Sequence, residues 1–212
     1  MRVISGQAKG HPLKAVPGSN TRPTTDKVKE ALFSMIGPYF NNGERVLDLF
    51  AGTGGLGIEA LSRGAESAVF IDSSPQSVDV VRRNLSSTRL AERAEVYRND
   101  ARRALKLLQR AGKPFDLIFM DPPYVVKDCD ALLLDLADKG LAAHGAIAVI
   151  EHHPDVVYPE AFGSFERSRY ATYGEIALSI YGYNPLDEAE QTPSSETEEE
   201  NEHESATIRH GE

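Results

Sequence analysis

Apolar positions along this chain follow two rhythms, and glycine, proline and charged residues mark where one gives way to the other. Val28, Ala31, Leu32, Met35 and Ile36 fall at i, i+3, i+4, i+7 and i+8, the stripe of an amphipathic helix. Thr24-Thr25-Asp26 supplies N-cap residues ahead of it, and Gly37-Pro38 ends it. Upstream, Arg2–Ile4 and Leu13–Val16 are short β-prone runs around a Gly/Lys-rich turn, which predicts a hairpin.

From Arg45 the period switches repeatedly between two and 3.6. Val46–Phe50 reads as a strand, followed by a glycine loop and a helix through about Ser62. Ala68–Ile71 is a second strand, and Pro75–Leu85 a helix with proline in its first turn. Ala94–Tyr97, Phe115–Met120 and Ala146–Ile150 are three further strands with helices between them. Tyr170–Tyr173 and Ile176–Tyr181, joined at Gly174-Glu175, predict a terminal hairpin. Alternating β and α units predict an α/β fold, a parallel sheet with helices on both faces. Ligands in such folds bind at the carboxyl ends of the strands.

At 212 residues and 41% hydrophobic content, the chain can build one well-filled core. Its one cysteine, Cys129, excludes a disulfide framework and a cysteine-based metal site. The six histidines lack HxxxH or HExxH spacing, so no metal is expected. Met1–Gly6 has no apolar signal region, and no apolar run approaches the length of a membrane span. The expectation is a cytoplasmic, monomeric protein without a membrane partner.

The formal charge of -9 is unevenly placed. Residues 187–212 hold ten acids and one base, leaving 22 of each sign in residues 1–186. Residues 1–29 carry Arg2, Lys9, Lys14, Arg22, Lys27 and Lys29 against Asp26 alone, with His11 nearby. Local basicity of this kind suits phosphate contact. The acidic tail has few apolar residues and is expected to be disordered.

Candidate chemistry collects at strand ends. The segment Asp48–Gly57 leaves the first central strand, and Gly52, Gly54 and Gly57 satisfy GxGxxG in strand–loop–helix context. Asp72 ends the next strand 20 residues after Gly52, where a carboxylate can bind ribose hydroxyls. To this point a nicotinamide dinucleotide and S-adenosylmethionine are equally allowed. Three features favour the methyl donor. Asp48 precedes the loop, where it could meet an ammonium or order the glycines. Asn99-Asp100-Ala101 gives the third strand a polar exit suited to adenine. Asp121-Pro122-Pro123-Tyr124 ends the fourth. There a carboxylate oxygen and a proline-carried carbonyl can each accept an N–H of a flat amine, while the ring stacks on the base.

These stretches resemble the bacterial small-subunit ribosomal RNA guanine-N2 methyltransferase family over roughly residues 2–183. The resemblance is carried by Arg2–Gly6, by Thr21–Phe33 with its Arg22-Pro23-Thr24 element, by the glycine loop running through Gly57–Ala65, by Asp121–Tyr124 and by Tyr173-Gly174. It implies a Rossmann-like seven-stranded methyltransferase sheet, preceded by the small N-terminal hairpin and helix. It further implies an S-adenosylmethionine donor and a guanine of 16S ribosomal RNA as acceptor, within the small subunit or an assembly intermediate. By the same resemblance Gly52, Thr53 and Gly54 face the methionine part, Asp72 the ribose, Asn99–Ala101 the adenine, and Asp121–Tyr124 the target base. Arg22 would approach RNA, alongside Lys9, His11, Lys14, Lys27 and Lys29. The expected division is an RNA-contacting appendage at 1–40, a methyltransferase domain at 41–186 and the tail at 187–212. The residues alone leave open the same chemistry on adenine N6 or a protein glutamine. An NAD-dependent oxidoreductase gives Asp121–Tyr124 no role, and a noncatalytic RNA-binding module leaves the acids and glycines unexplained.

Overall fold

Each alternation of period predicted from Arg45 onward becomes an element in a computed structural model, which describes residues 1–18, 25–37, 40, 43–123, 126 and 128–185. The helices are α1 (Asp26–Ile36), α2 (Gly55–Ser62), α3 (Pro75–Thr88), α4 (Ala101–Gln109) and α5 (Cys129–Asp138). The strands are β1 (Arg45–Leu49), β2 (Ser67–Asp72), β3 (Ala94–Arg98), β4 (Phe115–Met120), β5 (Ala142–His152), β6 (Ala161–Phe162), β7 (Phe165–Tyr173) and β8 (Ile176–Tyr183).

The strands form one sheet in the order β3-β2-β1-β4-β5-β8-β7-β6. β3, β2, β1, β4 and β5 run parallel; β8 turns back against β5, and β7 and β6 continue antiparallel. The chain order reverses between β1 and β4. Helices there diverge to opposite faces, leaving a crevice at the carboxyl ends of these two strands.

Period-two alternation sorts the strand residues into two layers. Val46, Phe70, Phe119, Val149 and Leu178 pack with Leu32, Phe33, Ile58 and Val81 on the face of α1, α2 and α3. Leu47, Ile71, Met120 and Ile150 pack with Leu105, Leu132 and Leu136 on the face of α4 and α5. The central strands are covered on both sides, which is why they read as continuous apolar runs.

The structure corrects the expected strand count. The sheet has eight strands where seven were expected. The eighth, β6, is a two-residue edge strand paired with β7, too short to show a period. β7 also begins five residues earlier than predicted, because its leading Glu166-Arg167-Ser168-Arg169 stretch is polar and mostly solvent-facing. The predicted N-terminal hairpin is reduced to an isolated bridge between Arg2 and Pro12. Gly6 and Gly10 take φ 78 and 81, so the chain leaves the extended conformation just inside the bridge and the ladder goes no further. What remains is a compact turn held by Val3 N–H to His11 O at 2.9 Å and Gly10 N–H to Val3 O at 2.8 Å. Val3 and Leu13 are buried with Phe33 and Leu61, so this turn is seated on the sheet's own core. The acidic tail lies outside the described residues.

Candidate active site

Every strand that ends at the crevice delivers a polar residue to it. After β1 the chain passes through Phe50, which takes φ 62, an uncommon conformation for a large side chain that its surroundings impose. Gly54 then turns with φ 76 and opens α2. Gly57 serves a different purpose. A Cβ there would lie 2.4 Å from Phe70 Cε1 and 3.0 Å from Asp48 Oδ2, so glycine is what lets α2 lie against the sheet.

The two acids flanking the loop hold it from opposite sides. Asp48 Oδ2 accepts Gly57 N–H at 2.9 Å beneath the loop. Burial, opposed by that hydrogen bond and reinforced by Asp72, pushes the Asp48 carboxyl up to about 8. Asp72 Oδ2 accepts Gly52 N–H at 2.8 Å, and its Oδ1 accepts Ser74 N–H at 2.8 Å. Ser74 is itself the N-cap of α3, so Asp72 ties the glycine loop to the start of α3 and is not the cap. A carboxylate has about four lone-pair sites, and two remain for a ligand.

A cavity of about 450 Å³ opens at this edge, within the size range of small-molecule sites. Gly52, Asp72, Asp100, Asp121, Pro122 and Pro123 line it, which brings together residues far apart in sequence. Asp100 caps α4, accepting Arg103 N–H at 3.2 Å, while Asn99 Oδ1 accepts Asp100 N–H at 2.9 Å. Thr53, Gly54, Asn99 and Ala101 are not among the residues that line the cavity; Thr53 O accepts an N–H from Asn84 at 2.9 Å. Asp48 stands under the floor at 2% exposure, so its role is to order the loop. Tyr124 lies outside the described residues.

Asp121 is open to water through the cavity mouth, yet its carboxyl is surrounded by protein on the remaining sides. Desolvation raises it well above the usual carboxylate range, and the charges of Glu151 and Asp48 raise it further; water at the mouth moderates the effect. Cys129, at the start of α5, is buried, and that burial pushes its thiol up to about 11. It stays protonated and is a poor nucleophile.

Sequence reasoning missed a group at the carboxyl end of β5 and beyond it: Glu151, His152, His153 and Tyr158 also line the cavity. His152 Nε2 lies 2.9 Å from Ser179 Oγ, and burial lowers the imidazole below its usual value. The rule that located Asp72 and Asp121, a polar residue at a parallel strand's carboxyl end, applies equally to β5 and would have found Glu151.

The predicted RNA-contact residues divide. Lys9, Lys14 and Lys27 are exposed and His11 is half-buried. Arg22 lies outside the described residues. Lys29 is a correction: it is fully buried, with Nζ 3.2 Å from Glu59 Oε2 and donating to Arg2 O at 2.6 Å. Desolvation lowers its pKa, and Glu59 opposes the shift. It holds the fold together and cannot touch RNA. Asn84 links the basic segment to the site, since its side chain accepts Lys14 N–H at 2.8 Å and donates to both Lys14 O and Thr53 O.

Comparison with known proteins places this arrangement. A family model described as conserved hypothetical protein 95 matches residues 1–182. A Bacillus subtilis protein provisionally named rRNA methyltransferase YlbH is 49% identical over 181 residues, 85% of this chain and 98% of its own. The ribosomal RNA small subunit methyltransferase D of Escherichia coli K12 is 30% identical over 181 residues, covering 85% and 89% of the two chains. A solved Escherichia coli structure, provisionally titled methyltransferase yhhF, superposes with a TM-score of 0.73 at 32% identity, covering 88% of this chain and 99% of that one.

Proposed function

The chain belongs to the conserved hypothetical protein 95 family, which includes the ribosomal RNA small subunit methyltransferases D, and from that premise we propose that it methylates the exocyclic N2 of a guanine in 16S ribosomal RNA. One observation carries the reading. The glycine loop after β1 and the Asp121-Pro122-Pro123 segment after β4 open on the same cavity, at the point where strand order reverses.

The residues present fit S-adenosylmethionine. Gly52 and the loop after it would take the amino-acid end, Asp72 the ribose, and the Asn99–Ala101 exit the adenine. When bound, that cofactor supplies a methyl group on a positively charged sulfur, and transfer exchanges the C–S bond for a C–N bond while the amine loses a proton.

The protein's own contribution is positioning and charge. A guanine amine is a poor nucleophile because its lone pair is delocalised into the ring. Asp121 and a carbonyl of the proline step accept its two N–H groups and hold the nitrogen's lone pair toward the methyl. Positive charge develops on the nitrogen as the bond forms, and the Asp121 carboxylate stabilises it. The raised carboxyl of Asp121 makes it a competent acceptor for the departing proton. With Cys129 held as a thiol, transfer is direct, with no enzyme-bound intermediate.

Lys9, Lys14 and Lys27 give the N-terminal segment its exposed positive charge, and the link through Asn84 sets Lys14 beside the glycine loop. RNA engaged there would present a base to the cavity. Calorimetry tests the cofactor assignment: S-adenosylhomocysteine should bind and NAD should not. NAD binding with no response to S-adenosylhomocysteine overturns it.

A further inference from the structure

Asp121 has a partner carboxylate that the reading above leaves without a task. Register pairs Met120 of β4 with Ile150 of β5, so the next residue on each strand, Asp121 and Glu151, stand level on neighbours about 4.8 Å apart. Phe119 and Val149 face the α2 layer, and Met120 and Ile150 face the α5 layer. The period of two then returns Asp121 and Glu151 to the same side of the sheet. Both line the cavity, and Glu151 is otherwise buried at 6% exposure. Their proximity registers in the charge of Glu151, which raises the Asp121 carboxyl second only to desolvation.

With a base bound, the pair can serve as two acceptors side by side, because N–H groups placed between them favour the ionised form over the raised carboxyl of the empty site. A guanine edge presents N1–H and N2–H as adjacent donors. An adenine edge presents a bare N1 lone pair beside its amine. The pair suits the first and repels the second, and each N–H brought between the carboxylates relieves their mutual repulsion. Resting on the guanine-N2 reading of this site, we propose that Glu151 is the specificity-determining residue of the base pocket, accepting N1–H of the guanine whose N2–H is held by Asp121.

2-Aminopurine separates this role from a structural one. It keeps the N2 amine, but its N1 carries a lone pair in place of the hydrogen. The test uses two RNA segments containing the methylated position, one with guanine and one with 2-aminopurine there. Methyl transfer is measured on both, and equilibrium binding on the fluorescent analogue. Wild type should favour guanine by roughly 10- to 100-fold, the scale of one hydrogen bond to a charged group. In Glu151→Gln the amide can turn either its oxygen or its N–H to the base, so the preference should fall to within a few-fold of unity. Binding of the 2-aminopurine RNA should tighten in the variant, with S-adenosylhomocysteine affinity unchanged. A wild type indifferent to the two bases overturns the assignment without any variant. A variant losing activity on both RNAs in proportion overturns it too, leaving Glu151 structural. Wild-type failure on both RNAs, with methyl incorporated elsewhere, strikes the parent reading and removes this assignment with it.

Discussion

Lys29 Nζ and Glu59 Oε2 lie 3.2 Å apart with both side chains fully buried. Glu59 also accepts Ile4 N–H at 2.8 Å, Ser5 N–H at 2.9 Å and Arg63 Nε–H at 2.8 Å. One carboxylate on α2 thus anchors α1 and the N-terminal turn to the helix that follows the glycine loop. Removing one partner of a buried pair leaves the other charge uncompensated, typically costing about 3–5 kcal/mol. Glu59→Ala and Lys29→Ala should each lose stability on that scale in denaturant titrations. A change under about 1 kcal/mol in either would mean the pair is not the anchor.

Asp121→Ala should leave S-adenosylhomocysteine binding nearly intact while turnover falls about 100-fold or more, the scale of one charged transition-state contact. Steady-state kinetics beside calorimetry reads both. A fall of less than about threefold in turnover removes Asp121 from the chemistry.

Asp48 makes stability pH-dependent in an unusual direction. Its carboxyl is raised from 3.8 to about 8 in the fold, so between those values the folded protein holds a proton that the unfolded chain releases. Unfolding is then favoured by rising pH, and this contribution to stability is lost as pH climbs through the window to about 8. Asn in its place keeps an oxygen for Gly57 N–H and does not titrate. The melting temperature of Asp48→Asn relative to wild type should rise from pH 4 to pH 8 and then level. A difference independent of pH would show that Asp48 is ionised throughout.

Lys9 and Lys14 are exposed on the N-terminal segment, and phosphate contacts of this kind each contribute about 0.7–0.9 to the slope of log affinity against log salt. Replacing both with Ala should weaken RNA binding and flatten that slope by more than one, with cofactor affinity unchanged. An unaltered slope would place the RNA face elsewhere on the protein.

The glycine loop, Asp72 and Asp121 were legible in the sequence because each follows an apolar run that declares itself a strand. Local pattern and strand-end position are enough to assemble that much of the site. Lys29 was misread for a physical reason: its basic character is local, but its burial is decided by Glu59, 30 positions away on another helix. Glu151 was overlooked although the same rule reaches it, since it directly follows the Ala146–Ile150 run as Asp121 follows Phe115–Met120. Gly6 and Gly10 were visible all along, and their left-handed turn is what cut the predicted hairpin to a single bridge. Pairings between distant segments are what the one-dimensional pattern lacks.

Methyl transfer to guanine N2 in small-subunit RNA is the reaction proposed for the cavity. Purified protein incubated with unmodified small-subunit particles and isotope-labelled S-adenosylmethionine, followed by nucleoside mass spectrometry of the 16S RNA, tests it directly. Label is expected in N2-methylguanosine, from a single position. Label in N6-methyladenosine, or in ribosomal protein with none in guanosine, would contradict it.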